Sequence, residues 1–286
     1  MSHNRTSNLH RAEDGYRKRA VGVLTAFFDA NREQVFYSRQ LEVKYERSFY
    51  HWIMNAAVHE VRDRGLIEVE EAEGVLLLRH KSYRFFRRRA REVLDLIGEY
   101  RRECVVKAVG ERGEQLVLEA FAKHQFVQRG RNGNEFNGKR WTTTNHNLDF
   151  LFERDGIGYG VEVKNVLGYS DLGEEIATKI ELCRALGIRP VVVARYLPKV
   201  WINDLFKADG FGLLYDVQLY PPLLRDQAER LRNELGLPVE VVGALPDGCM
   251  KRFLDWHEEN RDPELKARRK AERAAARKSP KAGGSS

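Results

Sequence analysis

The 286-residue sequence predicts an α/β protein preceded by a helical module that ends in a hairpin. Three observations carry this reading. Apolar residues recur at three- and four-residue steps between residues 16 and 64, then alternate between 66 and 79. From residue 106 onward, helical stripes alternate with short runs rich in Val, Leu, Ile and Phe. Hydrophobic residues make up 42% of the chain, enough for packed cores, which excludes wholesale disorder.

The first elements follow from local pattern. Residues 1–14 are polar and expected to fray. A first helix is predicted over residues 16–30, with Val21, Leu24, Phe27 and Phe28 at helical spacing. A second begins near Ser38 and carries Leu41 and Tyr45. A third covers residues 48–64, where Phe49, Ile53, Ala57 and Val61 form the apolar stripe and Gly65 ends it. Alternation over 66–69, a turn at 71–74 and a return over 75–79 complete a hairpin. Three helices and a hairpin make the layout of a winged helix-turn-helix domain over residues 1–80. The third helix also carries a polar face of His51, Asn55, His59 and Arg62. In a major groove, Asn55 reads adenine and Arg62 reads guanine. The same face serves equally as a solvated surface, and modules of this layout also bind proteins.

Residues 81–105 are predicted to form a basic connecting helix. Tyr83, Phe86, Ala90, Val93, Ile97 and Tyr100 make a continuous seam that packs on its own domain or on a second subunit. Arg84, Arg87, Arg88 and Arg91 line the other side, where a phosphate backbone fits. Residues 106–222 then read as the α/β core. A helix carries Leu116, Leu118, Ala120 and Phe121, and a basic stretch over 128–147 follows. Its Arg129, Arg131, Lys139, Arg140 and Trp141 suit phosphates and stacked bases. Strands are expected over 148–153 and 158–165, joined by a turn at Asp155 and Gly156. A helix over 172–186, a buried strand over 190–195, a helix over 199–208 and a strand over 212–219 come next. A C-terminal helical extension is assigned to 223–262, with a short strand at 239–242. The Lys/Arg/Ala-rich tail, 263–286, is predicted to be disordered or conditionally helical.

The formal net charge of +7 is unevenly spread. Residues 261–286 carry nine Lys/Arg against three Asp/Glu, residues 80–102 eight against three, and residues 148–260 thirteen against nineteen. Basic segments beside an acidic one suit a polyanion held near a cation. The three cysteines, Cys104, Cys183 and Cys249, form no C-x-x-C pair. That excludes a cysteine zinc site or disulfide scaffold and suits a reducing compartment. No apolar run reaches the length of a membrane span, and the N-terminal residues lack the apolar stretch of a signal peptide.

The chemistry concentrates in residues 147–165. Asp149 heads one strand, and Glu162 and Lys164 lie on the next, one residue apart and so on one face. A hairpin brings Asp149 to that face. Carboxylates and an ammonium among Val, Leu and Phe are costly to bury without a purpose. Paired carboxylates suit Mg²⁺, with Mn²⁺ as substitute. Lys164 can orient or deprotonate a water, or stabilise charge on a phosphate. An exposed Glu–Lys pair on a strand is the ordinary alternative.

Asp149 followed by Glu162, Val163 and Lys164 resembles the PD-(D/E)xK nuclease superfamily, and is similar to archaeal Holliday junction resolvases and Mrr-type restriction-endonuclease-like domains. The helix over 113–126 adds to the likeness, with Glu114 near its start and Glu119 as the competing acid. The resemblance covers residues 106–220 and is most specific over 148–165. It implies a restriction-endonuclease-like mixed sheet flanked by helices. It also implies a metal site of Asp149, Glu162, the Val163 carbonyl and Glu114, with Lys164 as the catalytic lysine. Departures are the long 126–149 connection, Leu148 where proline often stands, and Glu162 where Mrr-type enzymes often carry Gln. Lys179 shares a helix face with Glu175 and Cys183, and contacts phosphate or is a surface lysine. His146 reads as a loop residue.

The expected function is that of a Mg²⁺-dependent DNA endonuclease, structure-specific or of restriction or repair type. DNA is favoured over RNA because of the winged helix. A DNA-binding regulator or scaffold with an inactive nuclease-like core is the alternative. Another is a nuclease recruited through the winged helix to a helicase or other repair or defence protein. Symmetric cutting of two strands calls for a homodimer. No membrane partner is expected, and the location implied is cytoplasmic and nucleoid-associated.

Overall fold

A computed structural model describes residues 3–168, 172–262, 264 and 267–268. The basic tail expected over 263–286 lies outside the described residues, three positions excepted. The chain opens with α1 (His3–Ala30), β1 (Val35–Tyr37), α2 (Ser38–Tyr45), α3 (His51–Asp63), β2 (Ile67–Ala72) and β3 (Val75–His80). Next come α4 (Arg87–Tyr100), α5 (Glu103–Lys123), β4 (Val127–Gly133), β5 (Glu135–Phe136) and β6 (Lys139–Arg140). Then follow β7 (Leu148–Arg154), β8 (Ile157–Lys164), α6 (Gly173–Leu186), β9 (Arg189–Ala194), α7 (Lys199–Lys207) and β10 (Phe211–Leu214). After β11 (Gln218–Tyr220) and a 3-10 turn at Pro222–Leu224 come α8 (Arg225–Leu235), β12 (Val239–Val241) and α9 (Asp247–Arg261). The fold is α/β, with a mixed five-stranded sheet flanked by helices. None of the described helices is long and apolar enough to cross a membrane.

The chain divides into two compact units. Unit 1 holds the described residues of Met1–Arg112, Val166–Ser170 and Val217–Val242, and unit 2 holds those of Gly113–Asn165, Asp171–Asp216 and Gly243–Ser286. The expected extension over 223–262 is therefore split, because α8 and β12 bury their apolar residues in unit 1 while α9 belongs to unit 2.

In unit 1, Leu24 and Phe28 of α1 pack with Ile53, Met54 and Val61 of α3 and Leu78 of β3. The antiparallel sheet has the order β1-β3-β2. Strand β1 was not expected, since three residues are too few to display alternation. Helix α1 starts at His3, well before the expected residue 16. No proline stops it, and extending an existing helix adds one backbone bond per residue. The α4 seam finds its partner within its own unit. Ala90, Val93, Leu94 and Ile97 form one core with Leu231, Leu235, Val239 and Tyr220. The seam is thus covered by α8 and its neighbours. Gln40 Nε2 donates to the Leu235 carbonyl at 2.6 Å beside that core.

In unit 2 the strand order is β10-β9-β8-β7-β4. The β4–β7–β8 side is antiparallel, and β8–β9–β10 is parallel. Phe150 and Phe152 of β7 stand on one side of the sheet, where Phe152 stacks on Phe121 of α5 at 4.7 Å and Phe253 of α9 joins Phe121 at 5.2 Å. Buried aromatics of this size dominate core energetics. On the other side Leu148 and Leu151 meet Leu182, Cys183 and Leu186 of α6. Helix α6 lies close to the strand at Gly160, where an added Cβ would come within 2.5 Å of Cys183 Sγ.

The stretch expected to be a loop over 128–147 contains β4 and the small β5–β6 pair. Strand β4 is an edge strand with mostly exposed side chains, so it lacks the apolar alternation that betrays a strand. The strand expected over 212–219 is two strands in different sheets. Asp216, at φ +70°, breaks the extended run between them.

Candidate active site

Strands β7 and β8 pair with Phe150 opposite Val161, so one step further along that register Asp149 stands opposite Glu162. Alternation turns Glu162 and Lys164 to the side where Gly160 meets α6. Helix α6 presents Glu175, Lys179 and Cys183 at four-residue steps on that same side. Sequence period and sheet register together therefore converge Asp149, Glu162, Lys164, Glu175 and Lys179 on one spot.

Glu162 is 2% exposed. Lys164 Nζ meets its Oε1 at 2.8 Å, and Lys179 Nζ meets its Oε2 at 2.7 Å. Lys164 Nζ also donates to Glu175 Oε1 at 2.8 Å, and Lys179 Nζ donates to the Asn147 carbonyl. Two lysines and two glutamates thus neutralise one another, which is what allows Glu162 to be buried at all. Burial pulls the Lys164 ammonium down, but the Glu162 and Glu175 carboxylates outweigh it and hold it above its ordinary value. For Glu175, burial acts upward, yet Lys164 and Lys179 bring its carboxyl below the usual range. Lys164 is thereby a firmly charged cation.

Asp149 differs. Its carboxylate accepts the Val163 N–H at 2.7 Å and is in direct contact with no cation among the described residues. Burial, then the neighbouring Glu162 charge, raise its carboxyl to about 6, and Glu114 adds to the rise. The Val163 N–H and Lys164 oppose it. A partly buried carboxylate facing like charge is relieved by a cation.

Glu114 sits at the second residue of unit 2 and is held by Arg131 Nη2 at 2.9 Å. Its helix approaches the end of β8 closely, since a Cβ on Gly113 would lie 2.7 Å from Asn165 Cβ. Tyr215 Oη fixes that strand end by donating to the Lys164 carbonyl at 3.1 Å. The structure thus brings Asp149, Glu162, Val163, Lys164 and Lys179 together. It leaves Glu114 near enough to act on Asp149 through its charge, but engaged with Arg131. Glu119 is bonded by Gln115 at 2.9 Å instead.

Sequence reasoning placed Glu175 on the Lys179 face without giving it a role. The signal was available in the Glu175–Lys179 spacing of one helical turn. Tyr215 and the Asn147 carbonyl carried no sequence signal.

The remaining basic residues are dispersed. Arg129 pairs with Glu153 at 3.3 Å, and Lys139 and Arg140 are exposed on β6. Trp141 is half-buried and packs against the apolar cluster that includes Leu148 and Leu182, so its ring is packing material and not a free stacking platform. In unit 1, Asn55 and Arg62 are exposed on α3, with Arg62 on Asp63 at 2.8 Å. Arg88 pairs with Glu92 and Arg91 with Asp95, at 3.0 and 3.1 Å. Arg84 and Arg87 are exposed.

Among the described residues, one group of three metal-ligating side chains clusters closely, namely Asp155, His257 and Glu258. Its charges are already answered. Arg154 and Arg261 both contact Asp155 and Glu258, and the fully buried His257 ring joins Asp155 at 2.9 Å to Tyr159 Oη at 2.6 Å. The hydrogen bond from His257 leads the forces that hold the Asp155 carboxyl below its ordinary value. These bonds clamp α9 onto the β7–β8 turn. No protein-family model matches the chain, and no curated protein is significantly similar to it.

Proposed function

We propose that unit 2 is a Mg²⁺-dependent nuclease core that hydrolyses phosphodiester bonds in DNA, on a restriction-endonuclease-like sheet. The observation that carries the reading is half-buried Asp149 facing buried Glu162 beside a charged Lys164. Mg²⁺ binds through one or two carboxylates and completes its shell with water and phosphate oxygens. Asp149, Glu162 and the Val163 carbonyl are the residues that would hold it. The fit rests on Asp149, which stands opposite Glu162 in the β7–β8 register and is in direct contact with no cation among the described residues, so that a divalent ion would offset the repulsion that raises its carboxyl. When bound, the ion polarises a phosphoryl oxygen and acidifies water.

The chain's own groups supply the rest. Lys164, kept protonated by Glu162 and Glu175, stabilises negative charge gathering on the phosphate and is poorly suited to act as a base. Glu175 aims that ammonium. Lys179 occupies the second oxygen of Glu162 and sets its direction. Arg131 holds Glu114 at the margin.

We read helices α1–α3 and the β1–β3 sheet of unit 1 as a winged helix, with Asn55 and Arg62 on its α3 face toward DNA. The test is a cleavage screen over linear, nicked, flapped and four-way DNA plus RNA, with Mg²⁺ or Mn²⁺. Cutting of a DNA substrate is expected. Tight binding across the panel without any cutting would favour a regulator or scaffold with an inactive core.

A further inference from the structure

The loop between β3 and α4 presents an aromatic side chain in a way that packing does not explain. Phe85 is 91% exposed. The aromatic residues to either side of it, Tyr83 and Phe86, are partly buried and pack instead against the apolar core of unit 1. The loop is braced at both ends. The Lys81 N–H donates to the Leu66 carbonyl at 3.0 Å, and the Tyr83 N–H to the His80 carbonyl at 3.0 Å. His80, itself buried, bonds Ser82 Oγ through Nδ1 at 2.7 Å. Arg79 donates to the Tyr83 carbonyl at 3.1 Å and lies over the Phe86 ring at 3.6 Å. Two inward aromatics thus hold a short outward tip, Arg84-Phe85, in fixed position.

The charge in the loop's own sequence has one sign, although Arg88, Arg89 and Arg91 are paired with carboxylates. Residues 81–91 contain six Lys or Arg and no Asp or Glu. Lys81, Arg84 and Arg87 are exposed, and none is paired with a carboxylate among the described residues. A large ring in water, flanked by unneutralised cations on a braced loop, matches a strand whose phosphates meet the cations and whose base stacks on the ring. Bracing matters because a preorganised loop loses little freedom on binding.

We propose that this loop is a nucleic-acid contact selective for unpaired bases, with Phe85 as the stacking residue and Lys81, Arg84 and Arg87 as phosphate contacts. The proposal rests on the reading of the protein as one that acts on nucleic acid. It is independent of cleavage.

Fluorescence anisotropy of the full chain in EDTA tests it, with labelled single-stranded, flapped and fully paired DNA over a salt series. Stacking is worth roughly 1–3 kcal/mol per base, so Phe85→Ala should weaken single-strand and flap binding about 5- to 150-fold. It should leave paired duplex within about two-fold, and Phe85→Trp should restore the loss. Arg84→Ala with Arg87→Ala should weaken all substrates and flatten the salt dependence by about one to two units of slope. Phe85→Ala binding single strands as the wild type does would overturn the proposal. So would an unchanged salt slope in the arginine variant. Vesicles of phosphatidylserine and phosphatidylcholine form a further arm. Vesicle binding that Phe85→Ala abolishes, with oligonucleotide binding intact, would assign the tip to a lipid surface and overturn it as well. Circular dichroism on each variant confirms folding, which the exposure of all these side chains leads us to expect.

Discussion

Replacing Asp149 by Asn removes the charge that burial and Glu162 make unfavourable, yet leaves an oxygen that can accept the Val163 N–H. The folded carboxyl sits at about 6 against an ordinary 3.8. Because the folded value is the higher one, the folded state binds more protons than the unfolded state between those values. Stability therefore falls as pH rises from about 4 to about 6, and stays lower above that. A shift of about two units corresponds to roughly 3 kcal/mol at most. Asp149→Asn is thus expected to stabilise unit 2 by about 2–3 kcal/mol near pH 7.5, and by only about half a kcal/mol near pH 4. Urea denaturation in EDTA reads this. Trp141, Trp201 and Trp256 belong to unit 2, and a Trp52→Phe background removes the one tryptophan of unit 1. Excess Mg²⁺ should stabilise the wild type more than the variant, closing the gap near pH 7.5. If Asp149→Asn were no more stable than the wild type near pH 7.5 in EDTA, the account of Asp149 as a carboxylate awaiting a cation would be refuted.

Other outcomes follow from the same contacts. Lys179→Met leaves Glu162 Oε2 without its partner in a buried setting, and should cost about 1–3 kcal/mol of unit 2 stability in the urea midpoint. Gly160→Ala forces a Cβ against Cys183 and Leu148, and calorimetric melting should show a loss of about 1–3 kcal/mol. His257→Ala strips Tyr159 and Asp155 of a shared partner and should cost about 2–4 kcal/mol. Titration calorimetry should find Mg²⁺ binding unchanged in that variant. Loss of binding there would move the metal to the Asp155 cluster.

Much of the candidate site could be read from the chain because it lies on strands. Asp149, Glu162 and Lys164 are placed by a period of two and by one tight turn at Asp155 and Gly156, both visible in the residues themselves. The Lys179 face was likewise visible as helical spacing. Long-range pairings were not. Nothing local says that Leu231 and Leu235 cover the α4 seam, because either a second subunit or α8 satisfies the same apolar stripe. Edge strand β4 was hidden by its exposed, polar residues, and β1 by its length. The Arg131 bond to Glu114 depends on β4 existing, so missing the strand meant missing the pair. Lys164 as a held cation also needed the third dimension, since Glu175 reaches it only when α6 packs over β8.

The activity we propose is cleavage of phosphodiester bonds by the Asp149, Glu162 and Lys164 set with a divalent ion. Plasmid nicking by the full chain tests it most directly. Nicked or linear product with Mg²⁺, none in EDTA, and none from Asp149→Ala or Lys164→Ala is the expected result. Nicking that persists in EDTA, or survives either substitution undiminished, would contradict it.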